Sequence, residues 1–159
     1  MVIERKNVTT KEVNPKDAVG ARKAPMSTVP SRVMLEIGLA MLEGSAKYGR
    51  HNYRVAGVLA SVYYDAAIGH IMSWWEGEDI DPDSGLPHII KAMATLAVLR
   101  DGQHMENWVD DRPPQLPGNL NKPGLSVLAG EILDRCSARV EPFTQRILDD
   151  ARSEKQETR

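Results

Sequence analysis

A chain of 159 residues with 42% apolar and 26% charged residues has the make-up of one ordinary globular domain carrying an arm at each end. A formal net charge of -2 excludes a general pull towards nucleic acid or an anionic membrane, so an anionic substrate needs local help from a metal ion or a few basic side chains. The single cysteine, Cys136, excludes an intrachain disulfide and reads as a small apolar residue of a cytoplasmic protein; no apolar run has the length of a membrane span, and no h-region follows the charges of the opening Met1-Val2-Ile3-Glu4-Arg5-Lys6.

In chain order, residues 1–28 are polar and broken by Pro15, Gly20 and Pro25, which predicts an extended N-terminal arm. Pro30 and Ser31 open a helix that runs to Tyr48, with Val33, Ile37, Ala40 and Met41 at helical spacing and Gly49 ending it. A second helix is predicted over 55–75, with Gly57 and Gly69 as its weak points. Residues 77–87 form an acidic loop punctuated by Gly77, Pro82, Gly85 and Pro87. The third helix, 86–100, is apolar on most sides and is therefore expected at the centre. Residues 107–124 carry Pro113, Pro114, Pro117 and Pro123 and predict a semi-rigid connector. A last amphipathic helix, 126–151, is interrupted near Pro142, and a charged tail from Ser153 is expected to fray. Nothing alternates with period two for long enough to make a sheet. The reading is an all-α helical bundle with three parts: an arm over 1–28, a helical core over 29–112, and a connector with a C-terminal helical extension over 113–159.

Two groups of residues are candidates for chemistry. Glu36, Glu43 and Lys47 fall on one stripe of the first helix, and Asp65 and Glu76 on one stripe of the second. The loop adds Glu78, Asp79, Asp81 and Asp83. Such acids can converge on a hard cation, because Mg²⁺ takes oxygen ligands and keeps several waters. They can equally be a solvated helix face and a set of turn and cap residues. The second group is Lys47-Tyr48-Gly49-Arg50-His51-Asn52 at a helix end. It reads either as a helix terminus with a glycine cap and a dipole-compensating lysine, or as donors beside an aromatic ring suited to phosphate and base. His70 shares a helix face with Tyr63 and Trp74, where a packed histidine is the ordinary reading, and His88 lies in the first turn of the third helix. A phosphate-binding glycine-rich loop, paired zinc cysteines and an adjacent His-Asp dyad are all absent.

Three blocks in order carry a resemblance. They are Asn14-Pro15-Lys16-Asp17 with Gly20 and Lys23; Glu43-Gly44-Ser45-Ala46-Lys47-Tyr48-Gly49-Arg50 with Asn52; and Tyr64-Asp65-Ala66-Ala67 through His70 and Trp74 to Gly77-Glu78-Asp79-Ile80-Asp81, Ser84-Gly85 and His88. Over residues 14–101 the chain resembles the phage dATP/dGTP diphosphohydrolase family, a MazG-like group from phages that replace adenine by 2-aminoadenine in their DNA. The resemblance implies a MazG-like all-α bundle, usually a homo-oligomer, that uses Mg²⁺ or Mn²⁺ to split dGTP or dATP into monophosphate and pyrophosphate. The dGMP would feed a synthetase that begins 2-aminoadenine synthesis in the host cytoplasm. On this reading Glu43, Asp65, Glu78 and Asp81 hold metal and carry catalysis, and Glu36 or Glu76 completes the shell or orients water. Lys16, Lys47, Tyr48, Arg50, Asn52, His70 and His88 contact the substrate. The chain departs from MazG proteins in placing its Glu-x-x-Asp, Glu78 to Asp81, in a loop, with His88 and Lys91 at the equivalent spacing on the third helix. It also has Gly69 where the family carries the arginine of an Arg-His pair.

A three-helix core leaves the apolar third helix poorly covered, which predicts a homodimer or a dimer of dimers with the site near the interface. The rival reading is a non-enzymatic helical adaptor, in which the acidic stripes are surface.

Overall fold

The computed structural model describes residues 15–20, 22–115, 117–118, 123–136, 140 and 142–157. Residues 1–14 of the predicted arm lie outside this set. The chain divides into two compact units, Met1–Arg112 and Pro113–Arg159.

In the first unit the order is α1 (Pro15–Gly20), a 3-10 turn (Met26–Thr28), α2 (Ser31–Tyr48), α3 (Asn52–Ala56), β1 (Val58–Leu59), α4 (Ala60–Trp75), α5 (His88–His104) and β2 (Trp108–Val109). The fold is all-α, with one two-stranded parallel ribbon in which Val58 faces Trp108 and Leu59 faces Val109. No described helix is long and apolar enough to cross a membrane. As its apolar composition predicts, α5 is central: α4 packs along it most extensively, then α2. Val33, Ile37 and Met41 of α2 and Leu86 pack on a buried cluster of Ala40, Ile90 and Ala94. Small residues on α5 allow close approach, and Gly102 shows it most clearly, since a Cβ there would meet Val58 Cγ2 at 2.6 Å.

The structure corrects several expected boundaries. The helix predicted over 55–75 is two helices, because Gly57 takes a φ of 82°, which no helix permits. Asn107 fixes the break: its side-chain amide donates to the carbonyls of Arg54 and Val55, and its own carbonyl accepts from Val58 N–H. The helix predicted from residue 86 begins at His88, and Pro87 becomes its N-cap rather than a first-turn residue. The start of α4 has no cap of its own, because Leu59 occupies the N-cap position. The Asp111 carboxylate supplies one from fifty residues away, accepting from Ser61 N–H at 2.8 Å and from Ser61 Oγ at 2.5 Å.

The second unit contains α6 (Pro123–Arg135) and α7 (Gln145–Glu157). The single predicted helix is therefore split more widely than one proline would do. Thr144 starts α7, its carbonyl accepting from Leu148 N–H and its hydroxyl from Ile147 N–H. The tail expected to fray from Ser153 is helical to Glu157, supported by Ser153 Oγ donating to the Asp149 carbonyl at 3.0 Å. Cys136 is exposed, so it is not a packed apolar residue.

Candidate functional site

Helix α2 ends where Gly49 takes a φ of 93°, and His51 follows in the left-handed region at 60°. A non-glycine residue there costs on the order of 1 kcal/mol and marks a turn held by its surroundings. This tight reversal puts Tyr48, Arg50 and Asn52 on the wall of a cavity of about 680 Å³. The C-terminal half of α2 lines it as well, α5 adds Lys91, Ala94, Thr95 and Val98, and α4 adds Tyr63.

Glu43 is the electrostatic centre of the cavity. One carboxylate oxygen accepts from Lys47 Nζ at 2.5 Å and the other accepts from Lys91 Nζ. These two hydrogen bonds, Lys47 first and then Lys91, hold the Glu43 carboxyl below the usual glutamate range, and Glu43 in turn raises Lys47. Lys91 Nζ also lies 4.0 Å from Asp81 Oδ2. Asp81 belongs to the acidic loop, yet it is 9% exposed. The loop is built around it: Asp81 N–H donates to the Leu86 carbonyl at 2.9 Å, and Gly85 N–H donates to the Asp81 carbonyl at 2.8 Å. Ser84 Oγ donates to its carboxylate at 2.5 Å, the leading reason that Asp81 too is held below the usual aspartate range. Two ionised carboxylates from separate elements thus converge on a single ammonium group. Their charges cancel those of Lys47 and Lys91. Arg50 adds a guanidinium that, among the described residues, has no carboxylate partner.

A second chain of contacts joins α4 to α5. His70 Nδ1 lies 2.8 Å from Nδ1 of His88, which is 4% exposed, and His88 Nε2 lies 3.2 Å from Glu78 Oε2. Two facing Nδ1 atoms must share one proton. If His88 donates through Nε2 to Glu78, His70 donates through Nδ1 to His88, and His70 Nε2 keeps its lone pair. Burial, followed by the neighbouring His88, pushes His70 down from the ordinary histidine value. Asp81, Lys91 and Glu43 also act on it electrostatically, which places the imidazole pair beside the Glu43 cluster.

The expected site residues therefore fall into distinct places. Glu43, Lys47, Tyr48, Arg50 and Asn52 share the cavity, and Asp81 joins it through Lys91. Glu78, His70 and His88 form the adjoining relay. Glu36 is tied to Arg32 at 2.7 Å, one turn earlier on α2. Asp65 is exposed on α4 and, among the described residues, gathers with no other acid or histidine into a metal-sized group. Glu76 is exposed at the C-cap of α4, and Lys16 is exposed on α1. Among the described residues no three Asp, Glu, His or Cys side chains are gathered closely enough to hold one ion by themselves. Among the cavity residues, Tyr53 was not named from the sequence, and Lys91 and Tyr63 were noted only for their spacing and helix face, with no role assigned. The available signal for Lys91 was its isolation as the only charged residue between His88 and Leu99 of an otherwise apolar helix.

Fold and cavity together define a helical protein with a cavity walled by lysines, an arginine and an ionised glutamate, the kind of concave polar pocket that ligand sites use. The chain belongs to the dATP/dGTP diphosphohydrolase family: the family described as "dATP/dGTP diphosphohydrolase, N-terminal" matches residues 13–112. No curated protein and no solved structure matches the chain.

Proposed function

We propose that the protein hydrolyses dGTP or dATP between the α and β phosphates, releasing the deoxynucleoside monophosphate and pyrophosphate, with Mg²⁺ or Mn²⁺ as cofactor. The observation that carries this reading is the Glu43–Lys91–Asp81 cluster at the wall of the cavity, within the residues that the family matches. A triphosphate carries a charge of about -4, which Lys47, Lys91 and Arg50, all lining the cavity, would meet.

Glu43 and Asp81 fit a hard divalent ion. Both offer only oxygen, both are held ionised, and both already face one cationic atom, Lys91 Nζ. When bound there, such an ion would polarise phosphate oxygens and lower the pKa of an attacking water. Asp65 and Glu78 are proposed to complete its shell, with Glu36 or Glu76 orienting water. Lys91, displaced from Glu43, would become a donor to the leaving pyrophosphate. His70, with its Nε2 lone pair exposed by the relay, would accept a hydrogen bond from water or substrate.

The working unit is proposed to be a homodimer or a dimer of dimers in the cytoplasm. Leu35, Leu39 and Leu42 form a stripe on α2 directly opposite its packed face, and they are 70%, 52% and 58% exposed. Among the described residues no large side chain is fully buried, and five of the seven buried apolar residues are alanines. A second copy brings the same apolar stripe and so offers a self-complementary cover. In a phage that replaces adenine, the dGMP released would enter 2-aminoadenine synthesis.

The deciding experiment incubates the protein with each common nucleoside triphosphate and Mg²⁺ or Mn²⁺, and resolves pyrophosphate from orthophosphate. Pyrophosphate with dGMP or dAMP is the expected outcome. Diphosphate with orthophosphate, triphosphate with free nucleoside, or no turnover of either purine nucleotide would overturn it.

A further inference from the structure

The cavity has two chemically different ends. Helices α4 and α5 run antiparallel, since His70 meets His88 at the start of α5. Tyr63 precedes His70 by two turns and therefore lies roughly 10 Å away along α4, beside the Thr95–Val98 end of the cavity. Tyr53 is drawn to the same end, because α3 packs on α5 through the Arg54–Asp101 ion pair and Tyr53 acts on Asp101. Tyr48, at the C-terminal end of α2, lines the same cavity. Three of the four tyrosines in the chain thus line one cavity, Tyr53 and Tyr63 towards its Thr95–Val98 end and Tyr48 next in sequence to Lys47. Burial raises the Tyr63 phenol above the usual tyrosine value, with Tyr48 and Tyr53 adding to it electrostatically.

We propose that Tyr48, Tyr53 and Tyr63 form the nucleobase subsite, stacking a purine base while Lys47 and Lys91 hold the phosphates at the charged end. This rests on the nucleotide reading above and adds the residues that recognise the base. Every base offers a π face, so the rings supply affinity to any nucleobase and most to a purine, which has the larger face. The phosphate end, by contrast, is blind to the base.

Calorimetric titrations with α,β-methylene-dGTP, which α–β cleavage cannot consume, and with inorganic tripolyphosphate separate the two ends. Both are run with Mg²⁺ on the wild type, Tyr48→Ala, Tyr63→Leu and Tyr63→Phe. Tyr48 is 71% exposed, so its variant keeps the fold, and Tyr63→Phe keeps the ring where Tyr63→Leu removes it. Tyr48→Ala and Tyr63→Leu are each expected to weaken the nucleotide analogue about 5- to 100-fold, the fold-change that corresponds to one base–aromatic stack. Tripolyphosphate binding is expected to stay within about twofold of wild type, and Tyr63→Phe to restore nucleotide affinity. Unchanged nucleotide affinity in both ring-removing variants, or an equal loss of both ligands, would overturn the base subsite and leave the nucleotide reading standing. A wild type that binds neither ligand would remove both.

Discussion

Two sets of carboxylates on this molecule look alike in the sequence and are treated oppositely by the fold. Glu43 and Asp81 are largely buried and held below the usual carboxylate range, Glu43 by hydrogen bonds from Lys47 and Lys91 and Asp81 by one from Ser84. Asp65 and Glu76 share a helical stripe just as regular, yet both point to solvent from α4. Stripe spacing establishes only which acids share a face. What separates the sets is whether the opposite element brings a counter-charge, and that depends on the register between helices.

The largest test of this contrast removes one charge at a time from the inward set. Glu43→Gln or Asp81→Asn should keep the helical content and lower pyrophosphate release by two to four orders of magnitude, about 3–5 kcal/mol of transition-state stabilisation. Steady-state turnover at saturating Mg²⁺ or Mn²⁺ checks it, and near-normal rates would place the chemistry elsewhere. Next in size, Lys91→Met leaves two facing carboxylates without their shared cation. With these side chains about one-fifth exposed or less, a loss of about 1–2 kcal/mol in the metal-free state is expected by urea melting. Added Mn²⁺ should restore more stability to this variant than to the wild type. An unchanged midpoint in both conditions would show that Lys91 does not hold the pair together.

Acid titration gives a smaller, stepwise effect. His70 is held below the ordinary histidine value of 6.5, so between that value and its folded one the unfolded chain binds more protons, and stability falls as pH drops through the window. Glu43 and Asp81 lie below ordinary values of 4.5 and 3.8, and their contribution is kept above those values and lost as pH falls through their folded ones. Thermal midpoints should thus decline in two phases, and His70→Gln should abolish only the upper one. The smallest expected effect is that of Asp65→Asn, within about 0.5 kcal/mol on stability because the group is exposed. Its turnover then sharpens the contrast: a large rate loss at wild-type stability would bring Asp65 into the metal shell on substrate binding, and an unchanged rate would leave it as surface.

Helix positions were legible where periodicity and punctuation agreed, as in α2 with its Ser31 start and Gly49 end, and in α5 with its run of apolar residues. The break at Gly57 was visible only as a weak point, because the glycine permits a turn but Asn107, fifty residues later, imposes it. The cluster at Lys47 to Asn52 could be seen in outline, since it is local. Lys91 and the His70–His88 contact could not: a lone lysine on an apolar helix ordinarily reaches for solvent, and the imidazole pair exists only in the α4–α5 register.

The clasp between Ser61 and Asp111 has a practical meaning for how this protein can be taken apart or recombined. The first turn of α4 leads directly to Tyr63, and its amide and hydroxyl are satisfied by a carboxylate one residue short of Arg112, where the first unit ends. A shortened chain that stops at Val109 would contain every cavity residue and still lose the anchor of the helix that carries one wall. A chain that stops after Arg112 would keep it. Any gene fusion that exchanges the second unit therefore has its natural seam at Pro113, with Asp111 travelling as part of the first unit although it lines no part of the cavity.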